Sequence, residues 1–267
     1  MPVTVTDVLA AKREGRRFAM LTAYDFPSAR LLAEAEIPVI LVGDSVGDNV
    51  LGYPNTLPVT IEDMLHHARA VARGAPDSLL VGDMPFGAYH ASCDETATNA
   101  AAFLKAGMHA VKVEGGGWVV EHVAHLTERG IPVMGHLGYT PQSVNAFGKT
   151  RVQGRTEATR VRIREAALAL QAAGAFAIVL EGVPRDLAAE MTRELAVPTI
   201  GIGAGPDCDA QVLVLYDLLG ITEHTRGGMP KFARAYADIG DRIVAAARSY
   251  AEDVREGRFP DDAHSFH

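Results

Sequence analysis

The chain has 267 residues, 48% hydrophobic and 22% charged, with 25 basic against 33 acidic side chains. That length can bury a sizeable core in one large domain or two small ones, and the apolar fraction excludes a disordered chain. A formal net charge of -8 argues against a nucleic-acid partner, which needs a basic face for phosphates.

The longest apolar runs, such as Ile37 to Val42, are a handful of residues, far short of the roughly 20 that a membrane span needs. No membrane association is therefore expected. Arg13, Arg16 and Arg17 sit near the start, but Asp7 and Glu14 lie among them and no long apolar stretch follows. Neither a signal nor a transit peptide is expected. Cys93 and Cys208 form no C-x-x-C pair and match no zinc-ligand spacing, so a disulfide scaffold and a thiolate zinc site are both excluded. A cytoplasmic protein is the expectation.

In chain order, Thr4 to Arg13, before Gly15, reads as a short N-terminal helix. Apolar runs follow at Phe18–Thr22 and Val39–Val42. Ile61 to Arg73 reads as a helix opening after Thr60, with Glu62 and Asp63 in the first turn, where the helix dipole favours acids. Further runs stand at Leu79–Val81, Ala110–Val113 and Pro132–Met134. Thr156 to Ala173 reads as a helix carrying Val161, Ala167, Leu168 and Leu170 among its charges and stopping at Gly174. Ala177–Leu180, Thr199–Ile202 and Val212–Leu215 complete the series, the last being the weakest because Asp217 interrupts its far end. Phe232 to Arg255, before Gly257, reads as a long C-terminal helix, and Asp261 to His267 as a polar tail.

The runs are nearly continuous in Val, Ile and Leu rather than alternating, as in parallel strands buried on both faces. Their spacing is about 33 residues, the size of a strand plus a crossover helix. Strands alternating with helices give either a closed eight-fold barrel or an open doubly wound sheet. The unit count and the chain length favour an α/β fold of the (β/α)8 TIM barrel type, with the N-terminal helix and a C-terminal helical extension. No linker or charge block marks a boundary, so one domain over residues 1–267 is expected.

In such a barrel the side chains just past the C-terminal ends of the strands face one mouth. Here those ends offer Asp44, Ser45, Asp83, Lys112, Glu114, His136 and Glu181. An unpaired buried carboxylate costs several kcal/mol, so acids in this layer need a partner. An all-oxygen set without cysteine suits Mg²⁺ or Mn²⁺. The bland alternative is that each acid caps the helix after its strand. That serves for any one of them and poorly for all of them together with a lysine. Lys112 and Glu114 alternate by two and point to the same side of their strand. They form either a structural ion pair or a grip in which Lys112 holds a substrate carboxylate or a developing enolate oxygen. Glu181 stands further round the barrel, where it could serve as a base; a glutamate against apolar walls would have a raised pKa, suited to removing a proton next to a carbonyl.

Other features carry less. Gly201-Ile-Gly-Ala-Gly205 lacks the G-x-G-x-x-G spacing and runs into Pro206, which favours a tight turn over a dinucleotide site. Gly115 to Gly117 either lets backbone approach a ligand or forms a flexible turn. His122, His125 and the His66–His67 pair read as helix-surface residues, since no H-E-x-x-H pattern surrounds them.

Leu21-Thr-Ala-Tyr-Asp25, Leu41-Val-Gly-Asp-Ser45, Leu57-Pro-Val-Thr60 and Asp83-Met-Pro-Phe-Gly87 resemble the ketopantoate hydroxymethyltransferase family. So do Val111-Lys-Val-Glu-Gly-Gly116, Val133-Met-Gly-His-Leu-Gly138, Thr140-Pro-Gln-Ser143 and Val152-Gln-Gly-Arg155. Ile178-Val-Leu-Glu181, Ile200-Gly-Ile-Gly-Ala-Gly205, Gln211-Val-Leu-Val-Leu215, Gly257-Arg-Phe-Pro260 and His264-Ser-Phe266 continue the likeness in order to the end of the chain.

The resemblance implies a barrel of the phosphoenolpyruvate/pyruvate superfamily, assembled as a homo-oligomer, a decamer of two pentamers. It implies Mg²⁺-dependent transfer of a one-carbon unit from 5,10-methylenetetrahydrofolate to 3-methyl-2-oxobutanoate, giving 2-dehydropantoate on the route to pantothenate and coenzyme A. By position, Asp44 and Asp83 match the family's metal ligands, with Glu114 as a third through water. Asp44, Ser45, Asp83 and Lys112 match the groups around the 2-oxo acid, Glu181 matches the proton acceptor, and His136 matches a site-lining residue. Mg²⁺ on the keto and carboxylate oxygens would lower the pKa of the C3 proton that Glu181 removes.

Gly82 and Val113 depart from the alanine and leucine expected of the family, and Asp48 from its common asparagine. Phe147-Gly-Lys-Thr-Arg151 departs from its glycine-glycine-tyrosine-lysine segment. Two other readings keep the fold: a carbon–carbon lyase or mutase acting on a 2-oxo acid, and a silent metal-binding scaffold. Against the first, no Lys-Lys-Cys-Gly-His motif is present. Against the second stands the intact set of site residues.

Overall fold

The computed structural model describes residues 2–148 and 151–266. The chain forms two compact units, Met1–Val214 and Leu215–His267.

In the first unit eight strands close into a barrel in chain order. They are β1 (Phe18–Thr22), β2 (Val39–Val42), β3 (Leu79–Asp83), β4 (Ala110–Glu114), β5 (Val133–Gly138), β6 (Ala177–Glu181), β7 (Thr199–Ile202) and β8 (Ala210–Leu213). Each pairs in parallel with its neighbour, and β8 closes on β1 with Ala210 opposite Phe18. That register sets β8 earlier than the apolar run Val212–Leu215 predicts: Leu215 already belongs to the helical turn Leu215–Leu218, where Asp217 is buried.

Alternate residues of the strands meet in one apolar cluster, among them Met20, Val39, Leu41, Leu79, Val81, Met134, Val179, Ile200 and Val212. Val8 of the N-terminal helix, Val5–Arg13, joins the same cluster. Truncating one such side chain costs about 2–5 kcal/mol, so the strand frame that carries the site is stiff.

The helices form where caps and spacing dictate. Thr60 Oγ1 accepts from the Asp63 amide at 3.1 Å and Asp63 accepts in return from the Thr60 amide at 3.0 Å, a capping box that starts Ile61–Gly74. That helix buries Met64, Ala68 and Val71 at four- and three-residue spacing, the period of one helix face. Thr156 caps Glu157–Ala172 in the same way, and Gly174 follows its end. Its buried face uses Ala167 and Leu170, while Val161 is exposed.

Gly82 of β3 marks a close approach rather than a turn. A Cβ there would overlap the ring of Phe103, on the helix Cys93–Lys105. That packing leaves no room for the alanine expected at this position, and Val113, where leucine is expected, is fully buried.

The second unit holds the short helices Leu215–Leu218 and Thr222–Arg226 and the long helix Ile239–Arg255. The long helix begins at Ile239 rather than at Phe232. The amides of Tyr236 and Ile239 donate to the carbonyls of Leu218 and Leu219 at 2.8 and 3.0 Å, and so are not available to extend the helix backwards. Ile243, Val244, Tyr250 and Val254 lie exposed along it. Among the described residues, no helix is long and apolar enough to cross a membrane.

Candidate active site

The strand register brings the predicted residues together. Asp83 lies opposite Lys112 across β3 and β4, Glu114 opposite His136 across β4 and β5, and Glu181 opposite Gly138 across β5 and β6. Residues at matching heights on neighbouring strands share one layer at the C-terminal mouth. Asp44 enters the layer from the turn after β2, its amide donating to Asp83 Oδ2 at 3.2 Å.

Asp44, Asp83, Lys112, Glu114 and His136 are all buried. Lys112 Nζ stands 2.8 Å from Asp83 Oδ1 and 3.2 Å from Glu114 Oε1. The contact with Asp83 is an ion pair out of hydrogen-bonding line, so Oδ1 has no aligned donor. His136 bridges two acids, with Nδ1 at 3.1 Å from Glu114 Oε1 and Nε2 at 3.4 Å from Glu181 Oε2. Glu181 is the more accessible, with its side chain 18% exposed, and faces His136 rather than only apolar walls. Ser45 is half-buried and shares a 2.8 Å hydrogen bond with the hydroxyl of Tyr24.

The charges in this layer do not balance. Burial, and then the charges of Asp83 and Glu114, push Asp44 well above the ordinary carboxylate range. Burial raises Asp83 too, against the pull of Lys112. Burial would also raise Glu114, but Lys112 and His136 outweigh it and hold that carboxyl down at about 2. Burial works against the charge on Lys112, yet Asp83, Glu114 and Asp44 together raise its pKa. His136 is raised despite burial and Lys112, because Glu114 and Glu181 flank it. Three carboxylates thus share one lysine, and a buried layer of this kind takes up protons or a cation.

Asp44, Asp83 and Glu114 offer one oxygen each, all within 4.8 Å of one another. The donor set is all oxygen, buried and in excess of its lysine, and it fits a divalent cation of the Mg²⁺ class. An ion held there would take Asp44, Asp83 and Glu114 as ligands.

Three residues that the strand-end reading passes over complete the site. Gln142 lies in the turn after β5, and its Nε2 donates to Asp44 Oδ2 and to the Met84 carbonyl, both at 2.9 Å. Its amide donates to Glu114 Oε2 at 3.1 Å, so one residue ties three loops to two of the acids. The hydroxyl of Tyr89 donates to Gln142 Oε1 at 2.6 Å and accepts from the Glu114 amide at 3.2 Å. Tyr24 sets the Ser45 hydroxyl.

Asp48 is half-buried on the short helix Val46–Asn49, where it accepts from Asn49 Nδ2 at 2.9 Å. Gly203 and Gly205 take φ of 62° and 83°, which makes the segment after β7 the tight turn its spacing predicts. His122 is not a surface residue: it is buried and bonded to Thr96 Oγ1 at 2.8 Å, because the helix Val119–Thr127 turns it toward its neighbour. His67 is half-buried as well, its Nδ1 2.5 Å from the Tyr24 carbonyl. Of the variant segment Phe147 to Arg151, Lys149 and Thr150 lie outside the described residues.

Solved structures similar to this fold include a phosphonopyruvate hydrolase complex with oxalate and Mg²⁺, at TM-score 0.64 and 16% identity, covering 100% of this chain and 92% of that one. A 2,3-dimethylmalate lyase of the PEP mutase/isocitrate lyase superfamily matches at TM-score 0.62 and 16% identity, covering 99% of this chain and 89% of that one. At such identities the likeness is one of fold. Sequence likeness goes further. A 3-methyl-2-oxobutanoate hydroxymethyltransferase from Acidothermus cellulolyticus is 55% identical over 99% of this chain and 96% of its own length. The protein of the same name from Syntrophus aciditrophicus is 51% identical over 99% of this chain and 96% of its own. The family model for ketopantoate hydroxymethyltransferase matches residues 2–262. The chain is an enzyme of the ketopantoate hydroxymethyltransferase family.

Proposed function

We propose that this enzyme transfers a hydroxymethyl group from 5,10-methylenetetrahydrofolate to C3 of 3-methyl-2-oxobutanoate, giving 2-dehydropantoate, with Mg²⁺ held by Asp44, Asp83 and Glu114. The observation that carries the reading is the buried trio of carboxylates sharing Lys112. Bound there, a divalent cation supplies Lewis-acid polarisation of a keto oxygen.

The rest falls to the chain's own side chains. Lys112 and the Ser45 hydroxyl hold the carboxylate end of the 2-oxo acid, and Lys112 meets the negative charge that grows on the keto oxygen. Glu181, the most accessible acid of the layer, takes the C3 proton. His136 orients Glu181 on one side and Glu114 on the other. Gln142 and Tyr89 fix the loops so that acids and lysine keep their places before substrate arrives. The C3–H bond breaks and a C3–C bond to the one-carbon unit forms. Both bonds from that carbon to the donor nitrogens break, water supplies the hydroxyl, and the C3 proton and water's other proton end on the two nitrogens of the departing tetrahydrofolate. Assembly as a decamer of two pentamers in the cytoplasm, on the route to pantothenate, belongs to the same reading, and family membership supports it.

The test is formation of 2-dehydropantoate from the two substrates with Mg²⁺ and with EDTA. Product that depends on the metal is expected; none from folded protein would sink the reading. Glu181→Gln sharpens it. That variant should exchange the C3 hydrogen of 3-methyl-2-oxobutanoate with D₂O about 10²- to 10⁴-fold more slowly at nearly unchanged KM. Exchange at the wild-type rate would make another group the base.

A further inference from the structure

Beside the buried layer, on the two loops that follow Asp83 and Glu114, lies a group of aromatic rings that the proposed chemistry does not use. Phe86 and Trp118 are 47% and 51% exposed, and His90 between them is exposed as well. The His90 ring lies 4.7 Å from Phe86 and 5.0 Å from Trp118, centroid to centroid. Trp118 is held from beneath: Tyr89 stacks on it at 5.9 Å with 17° between the planes, and His122 meets it edge-on at 5.2 Å. Tyr89 is the same residue whose hydroxyl bonds the Glu114 amide and Gln142. A single buried side chain therefore connects this surface to the carboxylate layer.

We propose that Trp118, with Phe86 and His90, is the platform on which the fused ring of the one-carbon donor stacks. The inference rests on the tetrahydrofolate reading above. The carboxylate layer is buried and charged, which suits a small 2-oxo acid and is a poor match for a large bicyclic ring. The donor must lie outside that layer with its one-carbon end reaching in. Large flat side chains bind flat rings through dispersion and offset stacking, and a tryptophan braced by a buried tyrosine has little freedom to lose on binding.

The sequence contains a single tryptophan, so its fluorescence reports on this place alone. Titrating the intact oligomer with tetrahydrofolate, in the presence of Mg²⁺ and 3-methyl-2-oxobutanoate, should quench that emission saturably; the 2-oxo acid alone should change it little. Trp118→Leu should raise the donor KM about tenfold, the order expected for one lost stacking partner, while donor-independent C3 exchange in D₂O continues. Trp118→Phe should recover most of the donor affinity. Unchanged donor KM in Trp118→Leu overturns the platform, and so does loss of C3 exchange along with donor use, which would mark a structural role. Emission shielded from acrylamide before any ligand is added would show a second copy on this surface and overturn it too. Failure of the donor reading looks different: wild-type protein would exchange C3 hydrogen and form no product with 5,10-methylenetetrahydrofolate.

Discussion

Lys12 and Lys112 stand at opposite ends of one barrel, and each meets a carboxylate at 2.8 Å. At the N-terminal end, Lys12 pairs with Asp209 and donates to the Thr192 carbonyl at 2.5 Å. Asp209 Oδ2 also accepts from the Thr199 amide at 2.8 Å and from the Thr199 hydroxyl at 3.1 Å. One cation faces one anion, and the surrounding hydrogen bonds close around them. At the C-terminal end Lys112 faces Asp83 and Glu114 with Asp44 behind, and burial raises two of these acids out of their ordinary range. An ion pair alone does not distinguish a site from a staple. The excess of buried charge does, because such charge is held only where something else is meant to join it.

That contrast can be broken experimentally, and the largest effect falls at the mouth. Lys112→Met should lower kcat/KM about 10³-fold, since it removes the charge that faces the acids and that, in the proposed mechanism, meets the growing oxyanion. A loss of less than about tenfold would reduce Lys112 to a second staple.

The next effect links protons to metal. Asp44 and Asp83 have pKa values raised above 3.8, so the stability their protonation contributes is complete below 3.8 and is lost as pH rises through their folded values. Glu114, depressed from 4.5 to about 2, runs the other way: its contribution is present above 4.5 and lost as pH falls through about 2. Mg²⁺ competes with protons for the first two acids, so it should raise the Tm more at about pH 8 than at about pH 5. At a hundredfold excess over Kd the gain is about 2.7 kcal/mol. Equal shifts at both pH values in thermal melts would separate the metal from these carboxylates.

The smallest effect belongs to the other end. Lys12→Met should cost about 1–2 kcal/mol of stability, discounted for its partial exposure, and leave kcat within about twofold. A large fall in kcat at unchanged Tm would erase the distinction between the two ends.

Most of the barrel is legible in the chain because parallel strands buried on both faces announce themselves as unbroken apolar runs. The same runs end on Asp44, Asp83, Lys112, Glu114, His136 and Glu181, so strand ends alone indicate the residues that the register brings into one layer. Gln142, Tyr89 and Tyr24 are not legible in that way. Their work is done by hydrogen bonds between loops far apart in the chain, such as Gln142 to Asp44, and no local period encodes those. His122 is a different case: it shares the helix face of Val119, Val123 and Leu126, so the spacing does encode its burial, and a polar residue type on that face hides it. The start of the last helix is not legible either, because the amides of Tyr236 and Ile239 are committed to carbonyls at Leu218 and Leu219.

The contact between Gly82 and Phe103 bears on how such a sequence can drift. A methyl group at 82 would collide with the ring and press on Met108 Cγ at 3.1 Å, so alanine is closed to this position while phenylalanine fills the gap. Replacing Phe103 first leaves a hole that the glycine cannot fill, at a cost of about 3–5 kcal/mol. Neither single step is neutral, although the double exchange can be. The two positions are coupled in size: a change at either alone should cost stability that a matched change at both can return. The strand that ends in Asp83 therefore inherits its packing partner along with its chemistry.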